Sequence, residues 1–208
     1  GDIADFDPSP FKGVDLLAGG LPCPPFSVAG KQLGEKDERN LFPIALDIID
    51  EVRPGAILIE NVRGFLGAVF EDYRQHLKTQ LQKMGYTVDW RLLNASDYGV
   101  PQLRPRVAIV ALRHAFSDNF NWPTANPKSA PTVGHTLHDL MAADGWSGAE
   151  AWAKRANEIG FPDDWEIFGK KTTAYRQVGN AFPPPVARSV ALEIAKSMNV
   201  SSSIQAVA

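Results

Sequence analysis

The chain has 208 residues, 44% of them hydrophobic and 22% charged, enough for one globular domain with a full core. Its net charge of −3 and isoelectric point near 5.8 lack the overall basic excess of most nucleic-acid binders, although a local basic face remains compatible with them. A single cysteine excludes an intramolecular disulfide and a cysteine-built zinc site, and no apolar run is long enough to span a membrane. With no signal-peptide pattern at the start, these features predict a reducing, cytoplasmic location. The opening Gly1-Asp2-Ile3 has no initiator methionine and reads as the interior of a longer sequence.

In chain order, "GVDLLAGG" (13–20) is a short apolar run closed by glycines and predicts a buried strand. It leads into "LPCPPFS", where Cys23 stands among prolines. "NLFPIALDIIDEV" (40–52) places Leu41, Ile44, Ala45, Ile48 and Ile49 at helical spacing, with Pro43 tolerable in the first turn. "GAILIENV" (55–62) is a second buried strand. "YRQHLKTQLQKMGY" then carries Leu77, Leu81 and Met84 on one helical face and stops at Gly85.

Strands are predicted at "YTVDWRLLN" (86–94) and "RVAIVALR" (106–113). Strands alternating with helices, several of them uniformly apolar, predict an α/β sheet with helices on both faces, and ligands in such sheets sit beyond the strands' carboxyl ends. "GGLPCPPFS" and "ENVRG" both fall at that edge. After Arg113 the texture changes to a connector rich in Pro, Asn, Thr and Ser, then to a helix-like stretch with Trp146 and Trp152. A last helix is expected from about Pro185, with Val186, Val190, Ile194 and Met198 four apart.

Several residues are candidates for chemistry, each with a plain structural alternative. Free cysteine is among the most buried residue types, so packing alone could explain Cys23, but its place after a strand and Gly19-Gly20 offers backbone N–H groups to a thiolate. Glu60 ends "AILIE", where it either caps a neighbouring helix or, partly buried, holds a proton near neutral pH. Gln102, Arg104 and Arg106 alternate and would point one way if a strand has already begun. Two arginines on one face can clamp a carbonyl or phosphate, or form a solvated rim. "GNAFPPP" (179–185) is a stiff turn into a helix, whose N-terminus suits a polar or anionic group. His76, His114, His135 and His138 lack metal-ligand spacing.

Taken together and in this order, these stretches resemble the C5-cytosine DNA methyltransferases. "LPCPPFS" is similar to the nucleophile motif, "ENVRG" to the ENV motif, "NASDYGVPQLRPR" to the NxxDYGxPQxRxR block and "RQVGNAFPPPVA" to the closing GN motif. "GDI" at the start resembles the motif that contacts the adenine of S-adenosyl-L-methionine, and "FSVAGKQLGEKDERNLF" the family's mobile catalytic loop. The resemblance implies an AdoMet-dependent methyltransferase (Rossmann-like) sheet. It also implies addition of the Cys23 thiolate to C6 of a cytosine flipped out of double-stranded DNA, which activates C5 for methylation.

By position in the motifs, Glu60 would hold the N3 edge and supply its proton. Arg104 and Arg106 would orient the base, Arg106 being the better match to the residue at the cytosine carbonyl. Asp2, Ile3, Pro22, Leu41 and Asn180 would line the cofactor, and Ser27, Asn61 and Gln102 would contact the substrate. The chemistry suits the residues: a pyrimidine is a poor electrophile, so attack at C6 needs an acid at N3. Base flipping costs a few kcal/mol that the pocket must offset.

The chain also departs from the family pattern. Pro24 stands where glutamine is frequent, the family's first cofactor motif would fall before Gly1, and only a remnant of the small target-recognition domain is expected. The organisation implied is a catalytic core over 1–113, a connector with partial recognition region over 114–159, and a return to the core over 160–208, with residues expected to be missing near Ile159-Gly160. A monomer with no metal is expected. A catalytically silent nucleic-acid-binding module and a tRNA-directed cytosine-5 methyltransferase are the alternatives to DNA methylation.

Overall fold

The computed structural model describes residues 3–21, 40–126 and 181–199. The chain divides into two units, one of residues 1–92, 106–122 and 191–208, the other of 93–105 and 123–190. The elements in order are β1 (Leu16–Gly20), α1 (Phe42–Val52), β2 (Ala56–Val62), α2 (Glu71–Lys83), β3 (Tyr86–Asn94), β4 (Pro105–Arg113), the short α3 (His114–Ser117) and α4 (Pro184–Ser197). Among the described residues no helix is long and apolar enough to cross a membrane.

The strands form one sheet in the order β1-β2-β4-β3. β1 pairs parallel to β2, from Leu16 opposite Ala56 to Gly20 opposite Glu60, with α1 as the crossover that a parallel pair requires. β4 runs antiparallel to β2, from Ala56 opposite Leu112 to Val62 opposite Arg106. β3 and β4 form a hairpin-like pair, bounded by the bonds from His114 N to the Gly85 carbonyl and from Ala95 N to the Arg104 carbonyl.

Alternation along the central strands divides the burial between the two sheet faces. Ile57 and Ile59 of β2 and Val107, Ile109 and Ala111 of β4 join one core cluster with Phe42, Ala45 and Ile49 of α1 and Leu77 and Leu81 of α2. Leu58, Val110 and Leu112, on the opposite face, are buried as well. The α/β sheet expected from the sequence is therefore present, and β2 is buried from Ala56 through Asn61.

Helix boundaries follow local chemistry. Pro43 sits in the first turn of α1, where its missing N–H costs nothing, and the Asn40 side chain accepts the Phe42 N–H at 3.2 Å. α2 ends where Gly85 takes φ +92°, a conformation that favours glycine. α4 begins at Pro184 and buries Val186, Val190 and Ile194 at the predicted spacing.

One expectation fails. β1 is not a buried strand: among the described residues it pairs on one side only, with β2, and Leu17 is half-buried while its other four residues are exposed. An apolar sequence and closing glycines specify a strand, whereas burial also needs a neighbour on each side. The stretch bearing Trp146 and Trp152, and the Ile159-Gly160 junction, lie outside the described residues.

Candidate active site

Because β1 and β2 are parallel, both end at the same edge of the sheet, and antiparallel β4 starts there. This is the edge beyond which open α/β sheets bind ligands. Glu60, two residues before the end of β2, is only 6% exposed. Its register partner is Ala108, and Arg106, two residues earlier on β4, therefore shares its sheet face. Arg106 Nε lies 2.8 Å from Glu60 Oε1, with both side chains largely buried. The N–H is not aligned on that oxygen, so the contact is an ion pair and not a directed hydrogen bond.

Gly20 faces Glu60 across the β1–β2 pair, and a Cβ placed on it would lie 3.4 Å from Glu60 Oε2. A larger side chain there would crowd the carboxylate. Gly20 thus has a role that the sequence did not reveal, since it depends on parallel register. β1 continues through buried Leu21 toward Pro22 and Cys23. Cys23, with Asp2, Pro22, Ser27 and Asn180, lies outside the described residues.

Asn61 follows Glu60 but faces the other side of the sheet and is fully buried. Its Oδ1 accepts the Val62 N–H at 2.9 Å, while its Nδ2 has no hydrogen-bond partner among the described residues. Leu41 precedes α1 and packs against the core cluster.

β4 begins at Pro105, so Gln102 and Arg104 precede the strand, and strand alternation does not align them with Arg106. The chain there is a turn: Val100 N donates to the Ala95 carbonyl at 3.2 Å and Gln102 N to the Val100 carbonyl at 2.7 Å. Gln102 is exposed. Within the second unit, Arg104 Nη2 donates to the Ala181 carbonyl at 3.1 Å. This bond joins the NxxDYG block to the residue after Asn180 across 77 positions, a link no local pattern could announce.

Beside β1 lies a cavity of about 740 Å³, a size usual for small-molecule sites. Ile3, Leu16, Ala18, Leu21 and Ile48 give it apolar walls, and Asp5 contributes a carboxylate. Of the expected cofactor residues that are described, Ile3 lines this cavity. Asp5, Phe6 and Phe11, also in its walls, were not singled out from sequence, because their approach to β1 has no periodic signature. Among the described residues no cluster of His, Cys, Asp and Glu is arranged to hold a metal ion.

Comparison with known proteins identifies the family. The profile of the C-5 cytosine-specific DNA methylase family matches residues 1–159 and 153–196. The Type II methyltransferase M.NgoMIV of Neisseria gonorrhoeae is 42% identical, over 95% of this chain and 82% of that protein. M.NaeI of Lentzea aerocolonigenes, also a Type II methyltransferase, is 42% identical over 96% of this chain and 64% of its own length. These alignments extend over 257 and 265 positions, more than the 208 residues here, so both relatives contain stretches that this chain lacks.

Solved structures share the fold. A putative DNA modification methyltransferase encoded within an E. coli prophage superposes with TM-score 0.59 at 16% identity, covering 89% of this chain and 79% of that one. A Spodoptera frugiperda DNMT2 variant superposes with TM-score 0.57 at 20% identity, covering 93% of this chain and 83% of its own. The family profile, which matches most of the chain, and the two 42%-identical relatives show that the chain belongs to the C-5 cytosine-specific DNA methylases.

Proposed function

We propose that this chain methylates C5 of cytosine in double-stranded DNA with S-adenosyl-L-methionine as donor, through a covalent bond between Cys23 and C6. The observation that carries the reading is the Glu60–Arg106 ion pair at the carboxyl edge of the sheet, beside the strand that leads to Cys23. In the proposed reaction the Cys23 sulfur bonds to C6 as the Glu60 carboxyl gives its proton to N3, and electron density gathers at C5. Arg106 takes the cytosine carbonyl, and Arg104, anchored at Ala181, orients the base. Removal of the C5 proton, cleavage of the sulfur–C6 bond and return of the N3 proton to Glu60 then restore the ring and the carboxyl.

The cavity beside β1 fits the cofactor's chemistry, with apolar walls for an adenine and the Asp5 carboxylate for a ligand carrying positive charge. Ile3 and Asp5 would hold it there, with Asp2, Pro22, Leu41 and Asn180 as further contacts. When bound, it supplies an electrophilic methyl group. Ser27, Asn61 and Gln102 complete the proposed substrate side, Asn61 by shaping the end of β2 from the opposite face. The catalytic core is assigned to 1–113 and 160–208. The named relatives are Type II methyltransferases, and we assign this chain the same use, in DNA modification paired with restriction.

The test is transfer of labelled methyl from S-adenosyl-L-methionine to duplex DNA of mixed sequence. Wild-type chain is expected to label cytosine C5, and Cys23→Ser to abolish the label. Labelling that survives in Cys23→Ser would contradict the covalent route.

A further inference from the structure

Arg74, in the first turn of α2, is 5% exposed, and its placement is unusual for a cation on the buried side of a helix. Nη1 donates to the Phe65 carbonyl at 2.6 Å and to the Gly67 carbonyl at 2.9 Å, Nη2 pairs with the Glu71 carboxylate, and the guanidinium lies 6.0 Å from the centre of the Phe65 ring. Burying an arginine is costly, and an apolar side chain of similar volume often stabilises as well or better. Packing alone is therefore a poor explanation for it.

The two carbonyls belong to the turn that follows Glu60-Asn61-Val62. Pairing of β2 with β1 stops at Gly20–Glu60, and pairing with β4 stops at Val62–Arg106. Beyond that point the strand end is held by whatever grips the next turn. Arg74 grips it. Phe65, in the same turn, is 1% exposed and stacks on Phe42 with ring centres 5.6 Å apart and planes at 19°. Tyr73, the residue before Arg74, meets Phe42 edge-on at 5.9 Å, and its hydroxyl accepts from Asn40 Nδ2 at 2.9 Å. The first turn of α2 thus fastens both the turn after Glu60 and the start of α1.

We propose that Arg74 is a positioning residue of the methylation reaction: by holding the Phe65 and Gly67 carbonyls it fixes the end of β2, and with it the Glu60 carboxyl against Arg106. The proposal rests on the functional reading above. Lysine cannot replace it fully, because an ammonium lacks the planar fork that spans two acceptors. Small displacements of a proton donor are expensive in rate, since catalysis needs near-attack geometry.

The experiment measures exchange of the cytosine C5 proton with solvent in duplex DNA, which reports addition and release of Cys23. Arg74→Gln is expected to lower the maximal exchange rate by about 10- to 100-fold with the KM for DNA unchanged. In a Glu60→Gln background the same change should cost no more than about twofold, because both substitutions act on one group. Arg74→Lys, which keeps the charge and the stem should Arg74→Gln not fold, is expected to melt like wild type and lose about 10-fold in the same rate. Equal losses in both backgrounds, or Arg74→Lys at the full wild-type rate, would overturn the proposal while leaving the functional reading intact. A wild-type chain that exchanges no proton would overturn the functional reading, and the role of Arg74 with it.

Discussion

β1 and β2 make an instructive pair. Both are apolar strands, both run in the same direction, and they are hydrogen-bonded to each other from Leu16–Ala56 to Gly20–Glu60. Yet β2 is buried from Ala56 to Asn61, while β1 exposes four of its five residues. The difference lies in their neighbours: β4 closes the other side of β2, whereas among the described residues β1 pairs with β2 alone. Apolar composition specifies membership of a sheet, and strand order decides burial. The cavity proposed for the cofactor runs beside β1, and at the carboxyl edge where the two strands meet Gly20 faces Glu60.

The comparison can be broken by stability measurements. Ile57→Ala in β2, at a fully buried site, is expected to cost about 2–5 kcal/mol in urea denaturation, since it removes buried methylenes and leaves a cavity. β3 offers an intermediate case, because among the described residues it too pairs on one side only but buries Tyr86 completely. The Tyr86 hydroxyl donates to the Pro54 carbonyl at 2.7 Å, and Tyr86→Phe should cost about 1 kcal/mol at neutral pH.

Burial pushes the Tyr86 hydroxyl above the usual tyrosine value of 10.0, with nearby Arg113 and Arg53 partly offsetting it. The unfolded chain therefore loses this proton first, so the contribution is fully present below pH 10 and is lost as pH rises through the higher folded value. Wild-type stability should fall across that range, and Tyr86→Phe should remove this component of the fall. The smallest effect belongs to β1: Leu16→Ala, at a site 37% exposed, should change stability by no more than about 0.5 kcal/mol. A loss near that of Ile57→Ala would mean that β1 is covered in solution.

Much of the fold was legible because it is written locally. The strand expected over Tyr86–Asn94 has the same bounds in the structure, and Pro43, Gly85 and the proline run that opens α4 punctuate helices as their backbone chemistry requires. Glu60 could be singled out because a charge at the end of an apolar strand breaks the pattern. What was not legible depends on register or on distant partners. The bond of Arg104 to Ala181, the facing of Gly20 and Glu60, and the grip of Arg74 on Phe65 and Gly67 leave no trace in local spacing. The alternation of Gln102, Arg104 and Arg106 carried meaning only on the condition that a strand had already begun, and β4 starts at Pro105.

The central claim, that Cys23 and Glu60 act together on cytosine C6 and N3, is tested most directly by trapping the covalent intermediate. The chain would be incubated with S-adenosyl-L-methionine and duplex DNA carrying 5-fluorocytosine in many sequence contexts. Fluorine at C5 cannot leave as a proton, so a competent enzyme remains bonded to its substrate. The account predicts an SDS-stable protein–DNA adduct that Cys23→Ser abolishes and Glu60→Gln slows by about 100-fold or more. An adduct that persists in Cys23→Ser, or forms at the wild-type rate in Glu60→Gln, would contradict it.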